Sequence, residues 1–178
     1  MVLKTDDIHL VSAAQRGDLI AFEALVGRYR TPAYRVALRI LGDPTDAEDV
    51  TQDSFLQAWQ ALPTLRARRA FSTWLYRIVT NRCLNAIRSR RATEILPNEI
   101  EDETRRPNHV TEARRRLETL RRAITRLTPE QRAPFVLREL EGLSYEEIAD
   151  VLETTVPAIK GRLHRARLAL LEAMREWR

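Results

Sequence analysis

Apolar residues in this chain recur three and four positions apart, and runs that alternate as strands do are few. Phe22, Leu25, Val26 and Tyr29, followed by Ala33, Val36, Ala37 and Ile40, trace one face of a helix. Asp18 can cap that helix, and Pro32 inside it predicts a kink or a break. A shorter helix precedes it, capped at or near Asp7, carrying Ile8, Val11 and Ala14 and stopped at Gly17. Gly42-Asp43-Pro44 ends the long segment. A third helix is predicted from Thr45 or Asp46 to Ala61, with Pro63 beyond it, and a fourth from Phe71 or Ser72 to Arg91.

The apolar spacing then fails. Thr93 to Asn108 holds Glu94, Glu99, Glu101, Asp102, Glu103, Pro97 and Pro107, and reads as a flexible linker. Helical spacing returns with Leu117, Leu120, Ile124 and Leu127 on one face. Thr128-Pro129-Glu130-Gln131 opens a further helix as a capping box, with Pro134 predicted to bend it or delay its start. Gly142 closes it. Ser144-Tyr145-Glu146-Glu147 is a second capping box, for a helix through Leu152. A turn from Glu153 to Val156 leads to Pro157 and a last helix to about Arg175. The organisation is a helical block over 1–92, a linker over 93–110 and a second helical block over 111–178, all-α throughout.

Composition adds a partner. The 178 residues carry a net charge of +5 and a sequence pI of about 10.0, which points to nucleic acid. Cys83, the single cysteine, excludes an intramolecular disulfide and a cysteine-rich zinc site, and among Ile78, Val79, Leu84 and Ile87 it reads as a core residue. With no apolar run of membrane length and no signal-peptide pattern, a cytoplasmic location is expected.

The charge is sorted along the chain. Asp43 to Asp53 contains five acids and no base, whereas Ser54 to Thr93 contains eight arginines and no acid. Asp46, Asp49 and Asp53 share one helix face, with Glu48 and Gln52 beside it. Helix-dipole compensation accounts for the acids of the first turn but not for Gln52 and Asp53. A docking face for a basic protein surface, with Phe55 and Trp59 as apolar anchors, accounts for the whole set. A metal-dependent nuclease built on the three aspartates is the alternative, although catalytic carboxylates need a pocket and the pattern offers none.

The arginine stretch interleaves Phe71, Trp74 and Tyr76 with Arg66, Arg68, Arg69, Arg77, Arg82 and Arg88. Rings that stack on unpaired bases, arginines that hold phosphates and Asn81 and Asn85 that read a base edge make a single-strand platform. Ser72 and Thr73 add hydroxyls. Leu75, Ile78, Val79 and Leu84 read as core, and Trp74 fits either role. In the second block, a short helix, a tight turn and a basic helix follow the helix-turn-helix plan. Ile148, Ala149 and Leu152 can pack on Ile159 and Leu163, leaving Lys160, Arg162, His164, Arg165 and Arg167 for a duplex. His164 has no companion at metal-ligand spacing, and no cofactor is expected.

These residues resemble those of bacterial RNA polymerase sigma factors of the sigma-70 family. Asp46-Ala47-Glu48-Asp49-Val50, Gln52-Asp53, Phe55 and Trp59 resemble the core-binding segment of region 2. Phe71 to Ile78 with Asn81 is similar to the promoter-melting and minus-ten segment. Leu143 to Ala149 with Lys160, Arg162-Leu163 and Arg165-Ala166-Arg167 is similar to region 4. Two such regions joined by a short linker resemble the extracytoplasmic-function (ECF) group. The resemblance implies two small helical domains, no catalysis, and docking of the acidic helix on the clamp of the polymerase β′ subunit. It also implies that region 4 meets the β flap and reads the minus-35 element as duplex through Pro157, Ala158, Lys160, Gly161, Arg162, His164 and Arg165. Region 2 would hold the melted non-template strand of the minus-ten element, with a base flipped near the loop 63–70 and Asn81. An anti-sigma partner follows from the same resemblance. The recognition helix departs from the family's usual Gly-Thr-Val-Lys-Ser-Arg opening by reading Pro157-Ala158-Ile159-Lys160-Gly161-Arg162, so two hydroxyls are missing, and Glu153 stands where a glycine is common. A stand-alone helix-turn-helix regulator is the rival reading.

Overall fold

The computed structural model describes residues 5–67, 70–93 and 112–175, and among them every regular element is a helix. The first block holds α1 (Thr5–Gln15), α2 (Leu19–Leu41), α3 (Pro44–Ala61), a 3₁₀ turn (Leu62–Thr64) and α4 (Phe71–Thr93). The second holds α5 (Glu112–Arg126), α6 (Pro129–Glu139), α7 (Tyr145–Val151) and α8 (Val156–Ala173). The expected linker lies almost entirely outside the described residues.

Caps explain most boundaries. The Ala21 N–H donates to Asp18 Oδ1 at 3.1 Å, and the Asp46 N–H to Asp43 Oδ1 at 2.9 Å, with Pro44 at the first helical position. At α7 both halves of the capping box are made: the Glu147 N–H donates to Ser144 Oγ at 3.1 Å and the Ser144 N–H to Glu147 Oε2 at 2.7 Å.

Other local signals were overruled by packing. Helix α2 runs unbroken through Pro32, because its buried face (Leu25, Tyr29, Ala33, Val36, Ile40) holds both sides of the one missing hydrogen bond. Helix α6 likewise continues through Pro134, itself buried. Asp7 is not a cap. It lies inside α1, where its carboxylate accepts from Tyr29 Oη at 2.7 Å and pairs with Arg28. Thr128 precedes α6 in extended backbone but makes no side-chain cap bond.

The two blocks are packed against each other, α4 on α7 and α2 on α5 and α6. One core runs from Val11, Leu25, Val36 and Phe71 through Leu75 and Val79 to Val136, Leu137, Ile148, Ile159 and Leu163. A smaller one joins Ala123, Leu127, Ala166 and Leu170. Arg132 ties the blocks at their helix ends. Its guanidinium is buried and donates to the Ile40 carbonyl at 2.6 Å, to the Leu127 carbonyl at 2.9 Å and to the Thr125 carbonyl. Those oxygens lie in the last turns of α2 and α5 or just beyond, where a cation meets the negative end of each helix dipole.

Candidate nucleic-acid interface

Helix α3 buries Ala47, Thr51, Ser54, Phe55 and Ala58 and turns Glu48, Asp49, Gln52 and Asp53 to solvent. Phe55 is therefore not the exposed anchor that the spacing predicts: it is 8% exposed and belongs to the core. The apolar side chain that does stand on this surface is Leu56, 63% exposed, one position further round the helix. Trp59 is half-buried, its ring 4.9 Å from that of Phe22. A shallow cleft of about 320 Å³ beside these acids is lined by Arg30, Thr31, Tyr34, Glu48, Thr51 and Gln52.

The acids and arginines that the sequence separates meet in space. Asp53 Oδ2 lies 2.9 Å from Arg82, Asp46 pairs with Arg90, and Glu48 lies 3.6 Å from Arg30. Helices α3 and α4 pack side by side, so two carboxylates of the acidic helix are bound to arginines of the basic one. Asp49 and Gln52 remain exposed on the outer face.

Helix α4 presents a cleft of about 360 Å³ lined by Trp74, Arg77, Ile78, Asn81, Arg82, Asn85 and, from α3, Gln57. Arg82 Nε donates to Gln57 Oε1 at 2.8 Å, which fixes its guanidinium along the rim. Trp74 packs on Phe71, ring centroids 5.8 Å apart, and also lines the cleft. The expectation for Ser72 is corrected. Ser72 is 3% exposed, buried beside Tyr29 of α2, instead of facing a ligand. Tyr76 is also core, donating to Glu141 Oε2 at 2.7 Å. Arg66, Arg77 and Arg88 are exposed. Arg68 and Arg69 lie outside the described residues.

In the second block α7, a turn and α8 form the helix-turn-helix. Ile159, Leu163, Ala166 and Leu170 face inward, and Ala149 is buried beside Ile148. The Ala158 N–H donates to Thr155 Oγ1 at 3.4 Å, capping α8. Pro157, Lys160, His164 and Arg165 are exposed, and Ala158, Gly161 and Arg162 are half-buried along the same side. Lys160 Nζ lies 5.6 Å from the Tyr145 ring, and the Arg138 guanidinium 4.8 Å from it. Arg167 leaves this surface to pair with Glu139 at 2.9 Å. The described residues contain no cluster of side chains able to hold a metal, and no helix long and apolar enough to cross a membrane.

Residues 25–93 match the family profile for sigma-70 region 2, and residues 117–170 that for sigma-70 region 4. The RNA polymerase sigma-H factor of Pseudomonas aeruginosa is 34% identical, over 98% of this chain and 96% of its own length. The ECF RNA polymerase sigma-E factor of Escherichia coli K12 is 34% identical over 93% of this chain and 92% of its own. Among solved structures, CnrH in complex with the cytosolic domain of CnrY superposes with a TM-score of 0.74 at 30% identity, covering 96% of this chain and 98% of that one.

Proposed function

The chain belongs to the ECF group of the sigma-70 family, and from that premise we propose how its surfaces divide the work of starting transcription. As a member of that family it is a non-catalytic initiation factor that directs RNA polymerase to promoters. In this reading residues 1–92 act as region 2 and residues 111–178 as region 4, joined by 93–110. The outer face of α3, with Asp49, Gln52 and Leu56, docks on the β′ clamp. The exposed side of α8, from Pro157 to Arg165, reads the minus-35 element as duplex while its block meets the β flap. Helix α4 reads the minus-ten element as melted non-template strand. An anti-sigma partner is part of the reading, in line with the capture of CnrH together with the cytosolic domain of CnrY.

The observation that carries the division is the α4 cleft. It joins a tryptophan face, two asparagine amides and two guanidiniums in one concavity. Stacking holds a base of any identity, the amides address its pairing edge and the guanidiniums address the flanking phosphates. A flipped base leaves the stack at a cost of a few kcal/mol, and such a cleft returns that energy only to unpaired DNA. The test is reconstitution. Purified chain added to core polymerase should initiate at promoters found by mapping transcript starts after the chain is induced. The rival, a stand-alone regulator, predicts tight duplex binding by the chain alone and no initiation with core enzyme.

A further inference from the structure

Gln57 belongs to the acidic helix α3, and no pattern in the sequence singles it out, yet it lines the α4 cleft with Asn81, Arg82 and Asn85. Its amide is not free to present either end. An arginine N–H only donates, so the amide atom that meets it must be the oxygen. Arg82 Nε donates to Gln57 Oε1 at 2.8 Å, and Arg82 is itself held by Asp53, with Nη1 donating to Oδ2 at 2.9 Å. Asn85 repeats the arrangement within α4, where its Oδ1 accepts from Arg88 Nη1 at 3.3 Å. Both amide oxygens are occupied, and Gln57 Nε2 and Asn85 Nδ2 have no acceptor among the described residues. Asn81 differs. Its amide makes no hydrogen bond among the described residues and can turn either end to a ligand.

The fixed polar groups of the cleft are therefore donors: two amide N–H2 groups and the guanidiniums of Arg77 and Arg82. A keto oxygen, O4 of thymine or O6 of guanine, accepts from such groups. An exocyclic amino group, N4 of cytosine or N6 of adenine, sets donor against donor. To accept from that amino group Gln57 would have to turn its amide over, leaving Arg82 Nε against an amide N–H2. A polar group left unmatched in this way is what gives a hydrogen-bonding site its selectivity.

We infer that Gln57, locked by Arg82, is a specificity-determining residue of the α4 cleft, and that together with Asn85 it selects a keto base over an amino base in the unpaired strand. The inference rests on the reading of α4 as the strand face and adds a base preference to it.

The test is fluorescence anisotropy of the full chain with fluorescein-labelled oligodeoxyuridine and oligodeoxycytidine of equal length, whose pyrimidine rings carry a keto and an amino group at the same position. We expect the uridine strand to bind about fivefold tighter. Gln57→Met keeps the length of the side chain without its amide and should bring the two affinities within about twofold of each other. Arg82→Met frees the amide to turn and should also abolish the preference, although the lost charge weakens both strands. Gln57→Glu, which only accepts, should favour the cytidine strand. Gln60→Glu adds the same charge at an exposed position of α3 that does not line the cleft, and should weaken both strands without moving their ratio. Gln57 is itself exposed, so its replacements keep the fold. Equal binding of the two strands by the native chain, or a preference that survives both Gln57→Met and Arg82→Met, overturns the inference. Affinities for both strands that do not respond to Arg77→Ala/Asn81→Ala would instead remove the strand from α4, and the base preference of the cleft with it.

Discussion

Asp49 stands in solvent with no arginine at ion-pair distance among the described residues, whereas Asp46 and Asp53 are each held by an arginine of α4. A carboxylate already paired within the chain offers less to a basic partner, so Asp49 should dominate docking. Asp49→Lys is expected to weaken polymerase affinity by on the order of tenfold in a fluorescence titration with core enzyme. Asn81→Ala is expected to leave that affinity unchanged and to slow open-complex formation, followed by permanganate reactivity of unpaired thymines. Equal loss of polymerase affinity in both variants would undo the separation of the two faces. Cys83 is fully buried, and burial pushes its thiol up from 9.0 to about 12. The neutral thiol is the form the fold prefers. Its contribution to stability is therefore complete below about pH 9 and is lost as pH climbs from 9 to 12. Tyr29 and Tyr76 act in the same direction from about pH 10 upward, raised first by burial and then by Asp7 and Glu141. Iodoacetamide at pH 8 should leave the thiol of the native chain unmodified and react once denaturant is added.

Among the elements, α8 carries a weakness that its caps do not remove. Gly161 sits in mid-helix with helical backbone, and a Cβ added there would meet Arg165 Nη1 at 3.6 Å, an ordinary contact. Gly161→Ala is thus expected to stabilise the chain by about 1 kcal/mol, read as a raised Tm. Gly42 is the contrast: its φ of 82° and a would-be Cβ 3.2 Å from Thr125 Cγ2 leave no room for the same change. Legibility in the sequence followed the range of the interaction that decides each element. Asp18, Gly42 and Ser144 act within a turn of where they stand, and they mark boundaries in the structure as they do in the sequence. Pro32 and Pro134 were misleading because burial of the helix faces, a long-range effect, outweighs one lost hydrogen bond. Phe55 and Leu56 differ by one position on α3, and only the place of its neighbours decides which of them faces out. The same holds for Ser72, which is buried beside Tyr29 of another helix.

For the whole molecule, the bonds that join the blocks could not be read from local pattern at all, because Tyr76 and Glu141 stand 65 residues apart and Arg132 and Ile40 stand 92 apart. Arg132 serves carbonyls at the ends of two helices, and no local pattern in the sequence marks it for that. Arg132→Leu is expected to lower stability by about 3 kcal/mol in denaturant unfolding, the scale of charge-assisted bonds left with buried acceptors. It should also broaden the transition, as the second block comes away before the first unfolds. The reversal of charge along the chain, from acids over 43–53 to arginines over 54–93, becomes a set of internal pairs once α3 and α4 lie side by side. Salt is where those pairs leave a trace. Each arginine that neutralises a phosphate of a single strand contributes about 0.7 to the slope of log affinity against log salt. On the proposed reading of α4 as the strand face, Arg82 and Arg90 would first have to give up Asp53 and Asp46. The carboxylates so exposed would take up cations, offsetting part of the ion release from the strand. Strand binding should therefore fall less steeply with added salt than a count of arginines on α4 implies, and steepen when Asp53→Asn leaves Arg82 unpaired.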